Sequence, residues 1–103
     1  MTGIDLEQKH LTEVQRILAA FVPHYEVWAF GSRVSGKAKP YSDLDMVIVT
    51  DQPVPPAVMS DLRDAFAESD LPMKVDLVDW ATTSESFRRI IEQERVLVQN
   101  KDR

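Results

Sequence analysis

The run Leu-Asp-Met-Val-Ile-Val-Thr at residues 44–50 constrains the fold more than any other segment of this sequence. Between Asp45 and Thr50 every residue is apolar, so both faces of a strand formed here would be hydrophobic. Strands that are buried on both faces have such continuous apolar runs, whereas a strand with one solvated face alternates apolar and polar residues. We therefore expect a central, buried strand over residues 44–50.

The other elements follow from the spacing of apolar residues. Residues 5–21 have apolar side chains at helical spacing; either Asp5 caps this helix, or Thr12 and Gln15 form a capping box and the helix begins later. We also expect strands over residues 25–30 and 73–78 and a loop over residues 31–42. Helices are expected over residues 57–69 and from residue 84 onward, and an extended tail over residues 95–98. This order predicts one α/β (α+β) domain over residues 1–103, with helices packed against a small mixed sheet.

The charge balance argues against a nucleic-acid partner. The 103 residues include 17 acidic and 12 basic side chains, a formal net charge of −5, whereas binding along a phosphate backbone needs clustered positive charge. The absence of cysteine excludes disulfides and fits a cytoplasmic protein. No apolar run approaches the roughly 20 residues that span a bilayer. The N-terminus lacks the basic and apolar regions of a signal peptide, so we expect no membrane association.

Two aspartates stand at the head of the central strand. Asp43 and Asp45 are two positions apart, so their side chains point to the same face of a strand and can bind one cation or a close pair. The preceding strand ends in Gly31-Ser32, a turn in which backbone N–H groups and a hydroxyl can hold phosphate. Each feature by itself is common in ordinary turns. Because the loop joins adjacent strands, we expect phosphate donors and metal ligands to face one cleft.

A third carboxylate comes from the segment Lys74-Val75-Asp76-Leu77-Val78-Asp79. Asp76 lies between two apolar residues of a predicted strand, where a charge is costly unless it is paired or bound to metal. It is therefore the better candidate for a metal ligand or base, and a solvated acid on an edge strand is the alternative. Asp79 precedes Trp80 and is expected to cap the following turn, but the choice between Asp76 and Asp79 stays open.

Three basic residues lie within the loop over residues 31–42. Arg33 directly follows Ser32, and we expect it to contact phosphate or to support the turn. Lys37 and Lys39 either offset the negative charge of a triphosphate or are simply solvated, and the sequence does not separate these alternatives.

Together these motifs resemble those of the minimal nucleotidyltransferases (MNT), a group within the DNA polymerase β-like superfamily. The resemblance rests on Phe30-Gly31-Ser32-Arg33, Gly36, Ser42-Asp43-Leu44-Asp45 and the later acid Asp76. The spacing from the Gly-Ser pair to Asp-x-Asp matches without gaps, and the order of elements fits as well. The resemblance therefore covers nearly the whole chain and implies the polymerase β-like nucleotidyltransferase fold.

The resemblance also implies a reaction. Members of the group transfer a nucleoside monophosphate, here expected to be AMP from ATP, to a hydroxyl or other acceptor and release pyrophosphate, with Mg²⁺ as cofactor. The implied residues are Asp43, Asp45 and Asp76 for catalysis and for two magnesium ions, and Gly31, Ser32, Arg33 and Ser42 for the nucleotide. Of these, Asp76 would help to deprotonate the acceptor hydroxyl, and Gly31 and Ser32 would hold the β- and γ-phosphates.

The small members of this group resemble antitoxin partners of HEPN-domain toxins. This implies a HEPN-type toxin as the partner of the chain and a tyrosine of that toxin as the acceptor. Larger members carry an added helical domain, which we do not expect here, so a partner would supply the missing wall of the site. Two alternatives stay open: a non-catalytic antitoxin that neutralises by binding, and a stand-alone enzyme acting on a small molecule or an RNA end. The edges of a small open sheet also favour a homo- or hetero-oligomer.

Overall fold

A computed structural model of this protein describes residues 3–101. In this range the helices are α1 (Gln8–Phe21), α2 (Ser32–Ser35), α3 (Pro56–Ala67), a 3-10 helix (Trp80–Thr82) and α4 (Glu85–Gln93), and the strands are β1 (Glu26–Phe30), β2 (Leu44–Val49), β3 (Val75–Asp79) and β4 (Val96–Gln99). The predicted strands, the two later helices and the extended tail are confirmed to within about two residues at each end, which is the usual precision of such boundaries.

The four strands form one mixed sheet in the order β3-β2-β1-β4. β1 pairs antiparallel with β2 and with β4, whereas β2 and β3 run parallel and are connected through α3. β2 is therefore an interior strand, as its apolar run predicted, and its residues Leu44, Met46, Val47 and Ile48 are fully buried. The predicted α/β class with a small mixed sheet is confirmed.

Helices α1 and α3 build the main core on one face of the sheet. Their buried residues are Leu11, Val14, Ile17 and Leu18 of α1 and Met59, Leu62 and Phe66 of α3. Spacings of three and four residues place each set along one side of its helix, so both helices present an apolar stripe to the sheet. No helix in residues 3–101 is long and apolar enough to cross a membrane.

Helix α4 packs on the opposite face of the sheet. Its residue Ile91 is fully buried and joins Phe30 and Val47 in a second, smaller apolar cluster. The ring of Phe87, also on α4, meets the ring of Phe30 edge-on, with 5.6 Å between the ring centroids. These contacts hold α4 beside the end of β1, where the Gly-Ser turn begins.

Both predicted starts of the first helix were wrong. α1 begins at Gln8 and its start has no side-chain capping bond. Asp5 is held elsewhere, because its N–H donates to the carbonyl of Arg33 at 2.6 Å. Gln15 donates its side-chain amide to the carbonyl of Val98 in β4 at 3.1 Å. These two contacts span large separations in the sequence, and no local pattern indicates them.

The predicted loop over residues 31–42 contains one helical turn that the sequence analysis missed. α2 directly follows Gly31, which has φ 82° and ψ −158°, a backbone region essentially restricted to glycine. Gly36 ends α2 in the left-handed conformation, with φ 81°. Two glycines therefore bound the turn, and the chain between α2 and β2 remains irregular, as predicted.

Candidate active site

Three residues on neighbouring strands lie in a row at one end of the sheet. Phe30 of β1 is the Cα partner of Asp45 in β2, and Asp45 is the Cα partner of Asp76 in β3. Directly opposed residues on paired strands project to the same face, and Phe30 packs toward α4. Strand register therefore brings the carboxylates of Asp45 and Asp76 together on the face that α4 partly covers.

Asp43, Asp45 and Asp76 form one electrostatic cluster. Burial raises the pKa of Asp45 above its usual value, and the negative charges of Asp76 and then of Asp43 raise it further. A like charge raises the pKa of a carboxyl group only when it lies close by, which agrees with the register that pairs Asp45 with Asp76 and with the position of Asp43 two residues before Asp45. Asp76 also pairs with the exposed ammonium of Lys74 at 3.6 Å, an ion pair that solvent largely screens.

Gly31 lies directly against the carboxylate of Asp45. A Cβ atom built on Gly31 would overlap Oδ2 of Asp45 and would approach its Cγ to 3.3 Å. The position therefore excludes a side chain for two reasons, its positive φ and this close approach. The approach places the backbone of the Gly31-Ser32 turn beside the carboxylate cluster.

A cleft of about 850 Å³ brings together residues from both predicted halves of the site, although Asp43 is not among its lining residues. Gly31 and Ser32 line it from the turn, and Asp45 and Asp76 line it from the sheet. Lys37 also lines this cleft, whereas Lys39 is not among its lining residues. The structure thus separates the two lysines that the sequence left undecided, because only Lys37 lines the cleft, where a positive charge can offset that of a phosphate.

Arg33 is buried and holds the loop from the inside. Its Nε donates to the carbonyl of Ser42 at 2.9 Å, Nη1 donates to the carbonyl of Asp5 at 2.9 Å, and Nη2 donates to the carbonyl of Pro40 at 3.3 Å. The hydroxyl of Ser42 in turn accepts from the N–H of Lys39 at 2.8 Å. These contacts support the turn, which is one of the two roles predicted for Arg33. Direct contact of Arg33 or Ser42 with a nucleotide stays a prediction.

Asp79 points away from the cleft. It is an odd number of positions from Asp76 along β3, so the two side chains lie on opposite faces. Its buried carboxylate accepts from the N–H groups of Val54 and Thr82, both at 3.0 Å, and from the Thr82 hydroxyl. Burial by itself would raise the pKa of Asp79, but the hydrogen bonds hold it below its usual value. The predicted cap is confirmed, and Asp76 rather than Asp79 faces the cleft.

The carboxylate cluster is not a closed metal cage. Among residues 3–101, no group of three or more acidic, histidine or cysteine side chains is already arranged to hold a metal ion. Magnesium is usually bound by one or two carboxylates together with water and substrate phosphates, rather than by a cage built only from protein. Carboxylate oxygens beside a turn that can donate hydrogen bonds to phosphate fit that mode of binding. A divalent cation would also neutralise the repulsion that raises the pKa of Asp45.

The remaining wall of the cleft comes from α4 and from Glu94, the residue that follows it, and was not predicted from the sequence. Phe87, Ile90, Gln93 and Glu94 line the cleft, and Phe87 and Ile90 are 37% and 60% exposed. In the sequence, the apolar residues of this helix indicated only a stripe packed on the sheet. The packed structure divides them, since Ile91 enters the apolar cluster while Phe87 and Ile90 reach the cleft.

Comparison with known sequences gives matches over most of the chain. The model of a family described as the nucleotidyltransferase domain matches residues 8–98. A protein of Haemophilus influenzae named "probable protein adenylyltransferase MntA" is 52% identical over 100 residues, which make up 97% of this chain and 88% of that protein. The matched region includes the Gly-Ser turn and all of the clustered acids.

Comparison with solved structures gives the same fold. A crystal structure of a toxin–antitoxin with AMP-PNP matches with a TM-score of 0.74 and 20% identity, over 89% of this chain and 74% of that chain. A structure of a tri-AMPylated Shewanella oneidensis HEPN toxin in complex with an MNT antitoxin matches with a TM-score of 0.69 and 20% identity, over 93% of this chain and 74% of that chain. At such low identity, these matches establish the fold alone.

Proposed function

This chain belongs to the nucleotidyltransferase domain family, and from that premise we propose that it transfers AMP from ATP to a tyrosine hydroxyl of a HEPN-type toxin, for which it is the antitoxin. The observation that carries the proposal is the alignment of Asp45 with Asp76 in a cleft shared with the Gly31-Ser32 turn. The relative from H. influenzae, at 52% identity, has the name of a protein adenylyltransferase, and an AMPylated HEPN toxin occurs with an MNT antitoxin of similar fold.

In this proposal the turn holds the triphosphate. The backbone N–H groups of the turn and the hydroxyl of Ser32 donate to the β- and γ-phosphates, and Lys37 adds a positive charge from the same cleft. Gly31 leaves no side chain between the nucleotide and Asp45. Arg33 contributes by keeping the turn and the approach to β2 in place through its three carbonyl contacts.

The acids supply the metal-binding and proton-accepting part of the site. Asp43, Asp45 and Asp76 would hold two magnesium ions, whose chemistry is to stabilise charge on the attacking and leaving oxygens. The acceptor oxygen bonds to the α-phosphorus, the bond from that phosphorus to the oxygen bridging to the β-phosphate breaks, and pyrophosphate leaves. Asp76 accepts the proton of the acceptor hydroxyl. Its side chain is 45% exposed on the edge strand β3, so an acceptor from another protein can approach it.

Intact-mass measurement of the toxin tests this proposal. The toxin is incubated with ATP and Mg²⁺, with and without this protein, and the expected result is a gain of one or more AMP groups. Asp43→Asn and Asp45→Asn are expected to abolish the gain while the fold survives. Asp61→Asn, a matched change of an exposed acid on α3, should leave transfer intact. Transfer that persists in the Asp43→Asn/Asp45→Asn double variant would contradict the proposal.

A second candidate is neutralisation by binding alone. It is favoured by the finding that an MNT antitoxin of similar fold occurs in complex with a HEPN toxin. The double variant Asp43→Asn/Asp45→Asn separates the two candidates, because a binding antitoxin would still rescue cells from the toxin. Rescue that is lost together with AMP transfer would support the enzymatic proposal.

A further inference from the structure

The wall of the cleft formed by α4 has a composition that phosphate binding and acid catalysis do not use. It consists of the apolar side chains of Phe87 and Ile90, followed by the amide of Gln93 and the carboxylate of Glu94. Phe87 and Ile90 stand at helical i, i+3 spacing on one side of α4, Gln93 is the last residue of the helix, and Glu94 directly follows it in an extended conformation. No cation lies on this wall, in contrast to the turn with Lys37 on the other side of the cleft.

The exposure of this wall distinguishes it from the core. Ile90 is 60% exposed and Phe87 is 37% exposed, although the adjacent Ile91 is fully buried. The ring of Phe87 is nevertheless held in place, because it packs edge-on against Phe30. A fixed aromatic ring with an aliphatic neighbour provides a surface on which a flat base can stack. The cleft volume of about 850 Å³ lies within the roughly 300–1,000 Å³ typical of small-ligand sites.

The polar end of the wall has a defined hydrogen-bonding character. An ionised carboxylate only accepts hydrogen bonds, and an amide side chain both donates and accepts. Glu94 therefore fits an exocyclic amino group, and Gln93 fits a base edge that combines a donor with a ring-nitrogen acceptor, as adenine does. Both side chains lie in the same cleft as Ser32 and Asp45, so one nucleotide can reach the turn and this wall together.

We propose that the α4 wall is the base subsite of this nucleotidyltransferase: the adenine ring lies on Phe87 and Ile90, and its amino group donates to Glu94 beside the amide of Gln93. The inference rests on the proposed function, since it places the base of the same ATP whose phosphates occupy the turn. It assigns specificity to a helix outside the Gly-Ser and Asp-x-Asp motifs.

Two nucleotides that differ only in the amino group provide the test. Calorimetric titration with Mg²⁺ and without acceptor compares ATP with purine riboside 5′-triphosphate, which lacks the exocyclic amine. The unmodified protein is expected to bind ATP about 10-fold more tightly, in line with the loss of one charge-assisted hydrogen bond. In Glu94→Ala the ratio of the affinity for ATP to the affinity for the purine riboside triphosphate should fall to near one, even if removal of a negative charge strengthens the binding of both nucleotides. Glu92→Ala is the matched control, because Glu92 lies outside the cleft lining and should keep the ratio.

The stacking surface is tested with the same titrations. Phe87→Ala should weaken the binding of both nucleotides by about 5- to 100-fold, the range measured for loss of base–aromatic stacking. Ile90→Ala should weaken the binding of both by a smaller factor, because it removes apolar contact but no ring. Leu97→Ala is the control, because Leu97 is an apolar residue of β4 that is 47% exposed. It should leave the affinities for both nucleotides unchanged.

Failure of this inference is distinguishable from failure of the proposed function. If the unmodified protein binds neither nucleotide, the proposed function itself is overturned. If it binds ATP and the α4 variants change neither affinity nor the ATP preference, only the base subsite is overturned. The same holds if Phe87→Ala and Ile90→Ala weaken binding of the toxin but not of ATP, because the wall would then belong to the acceptor.

Discussion

Replacement of Gly31 by alanine should damage catalysis more than folding, and Gly36 provides the matched control. Both glycines have a positive φ, 82° and 81°. A Cβ atom at Gly31 would overlap the carboxylate of Asp45, whereas a Cβ atom at Gly36 would meet nothing within 4 Å. A comparison of the two variants therefore separates backbone strain from displacement of the carboxylate.

The loss of stability can be worked out from the two backbone conformations. Gly36→Ala places alanine in the left-handed helical region, which costs about 1–2 kcal/mol. Gly31→Ala places alanine at ψ −158° with positive φ, a glycine-only region that costs about 1–3 kcal/mol. In a domain of this size, each kcal/mol lowers Tm by about 4–8 °C. Both variants are therefore expected to fold, with Tm values reduced by similar amounts.

The loss of activity should differ because only one variant moves a catalytic group. To restore ordinary contact, the carboxylate of Asp45 must withdraw from the new methyl group of Gly31→Ala by about 1 Å. A misplacement of that size costs a catalytic group about 100-fold in rate. We expect Gly31→Ala to lower the rate of AMP transfer by about that factor, and Gly36→Ala to keep nearly the unmodified rate.

The assay measures AMP incorporation into the toxin by intact mass, at a temperature well below both Tm values. Circular dichroism at that temperature establishes that each variant is folded before its rate is compared. A folded Gly31→Ala protein with an unchanged transfer rate would refute this reasoning. So would an equal loss of rate in Gly36→Ala, because strain alone would then explain the effect.

Three further outcomes are expected. Asp45→Asn should abolish AMP transfer yet raise Tm at neutral pH, because a pKa raised by folding means that ionisation of Asp45 opposes folding. The gain in Tm should vanish below the ordinary aspartate pKa of about 3.9, where the carboxyl group is protonated in both states. A gain in Tm that does not depend on pH would contradict this explanation. Asp79→Asn should cost about 2–3 kcal/mol in urea unfolding at neutral pH, since Val54 and Thr82 lose a charged acceptor. Because folding lowers the pKa of Asp79, the difference in unfolding free energy between the two proteins should shrink as the pH falls through the pKa of Asp79 in the folded state. An equal loss of unfolding free energy in acid would contradict this prediction. Arg33→Lys should lower the unfolding free energy by about 1–3 kcal/mol, because an ammonium group cannot reproduce the guanidinium fork that donates to three carbonyls. An unchanged midpoint of urea unfolding would show that these contacts add no net stability.

Patterns that act over a few residues were sufficient for most of the fold. The apolar run of β2 predicted an interior strand, and the predicted start of α4 at Ser84 is within one residue, since Ser84 caps the helix and its hydroxyl accepts from the N–H of Phe87 at 3.2 Å. The two-residue period of a strand also predicted that Asp43 and Asp45 lie on one side, which stays a prediction because Asp43 precedes β2 and is not among the residues that line the cleft. The same period, applied to β3, separates Asp76 from Asp79, but only once the bounds of that strand are known.

Features that depend on distant contacts were missed. The start of α1 and the helical turn α2 both lie around Arg33, whose contacts reach Asp5 at one end and Ser42 at the other. A buried guanidinium with three carbonyl partners is not evident from the sequence, because a basic residue in a glycine-rich loop is usually solvated.

The sequence by itself determined the mixed α/β fold class, and it predicted the site chemistry from a glycine-serine turn and an aspartate pair at the head of a buried strand. Only the tertiary structure decided that Asp76 stands opposite Asp45, that Lys37 rather than Lys39 reaches the cleft, and that α4 forms its apolar wall. The physical reason is that residue type and spacing act locally, whereas strand register and helix position are set by burial of apolar surface between segments far apart in the chain.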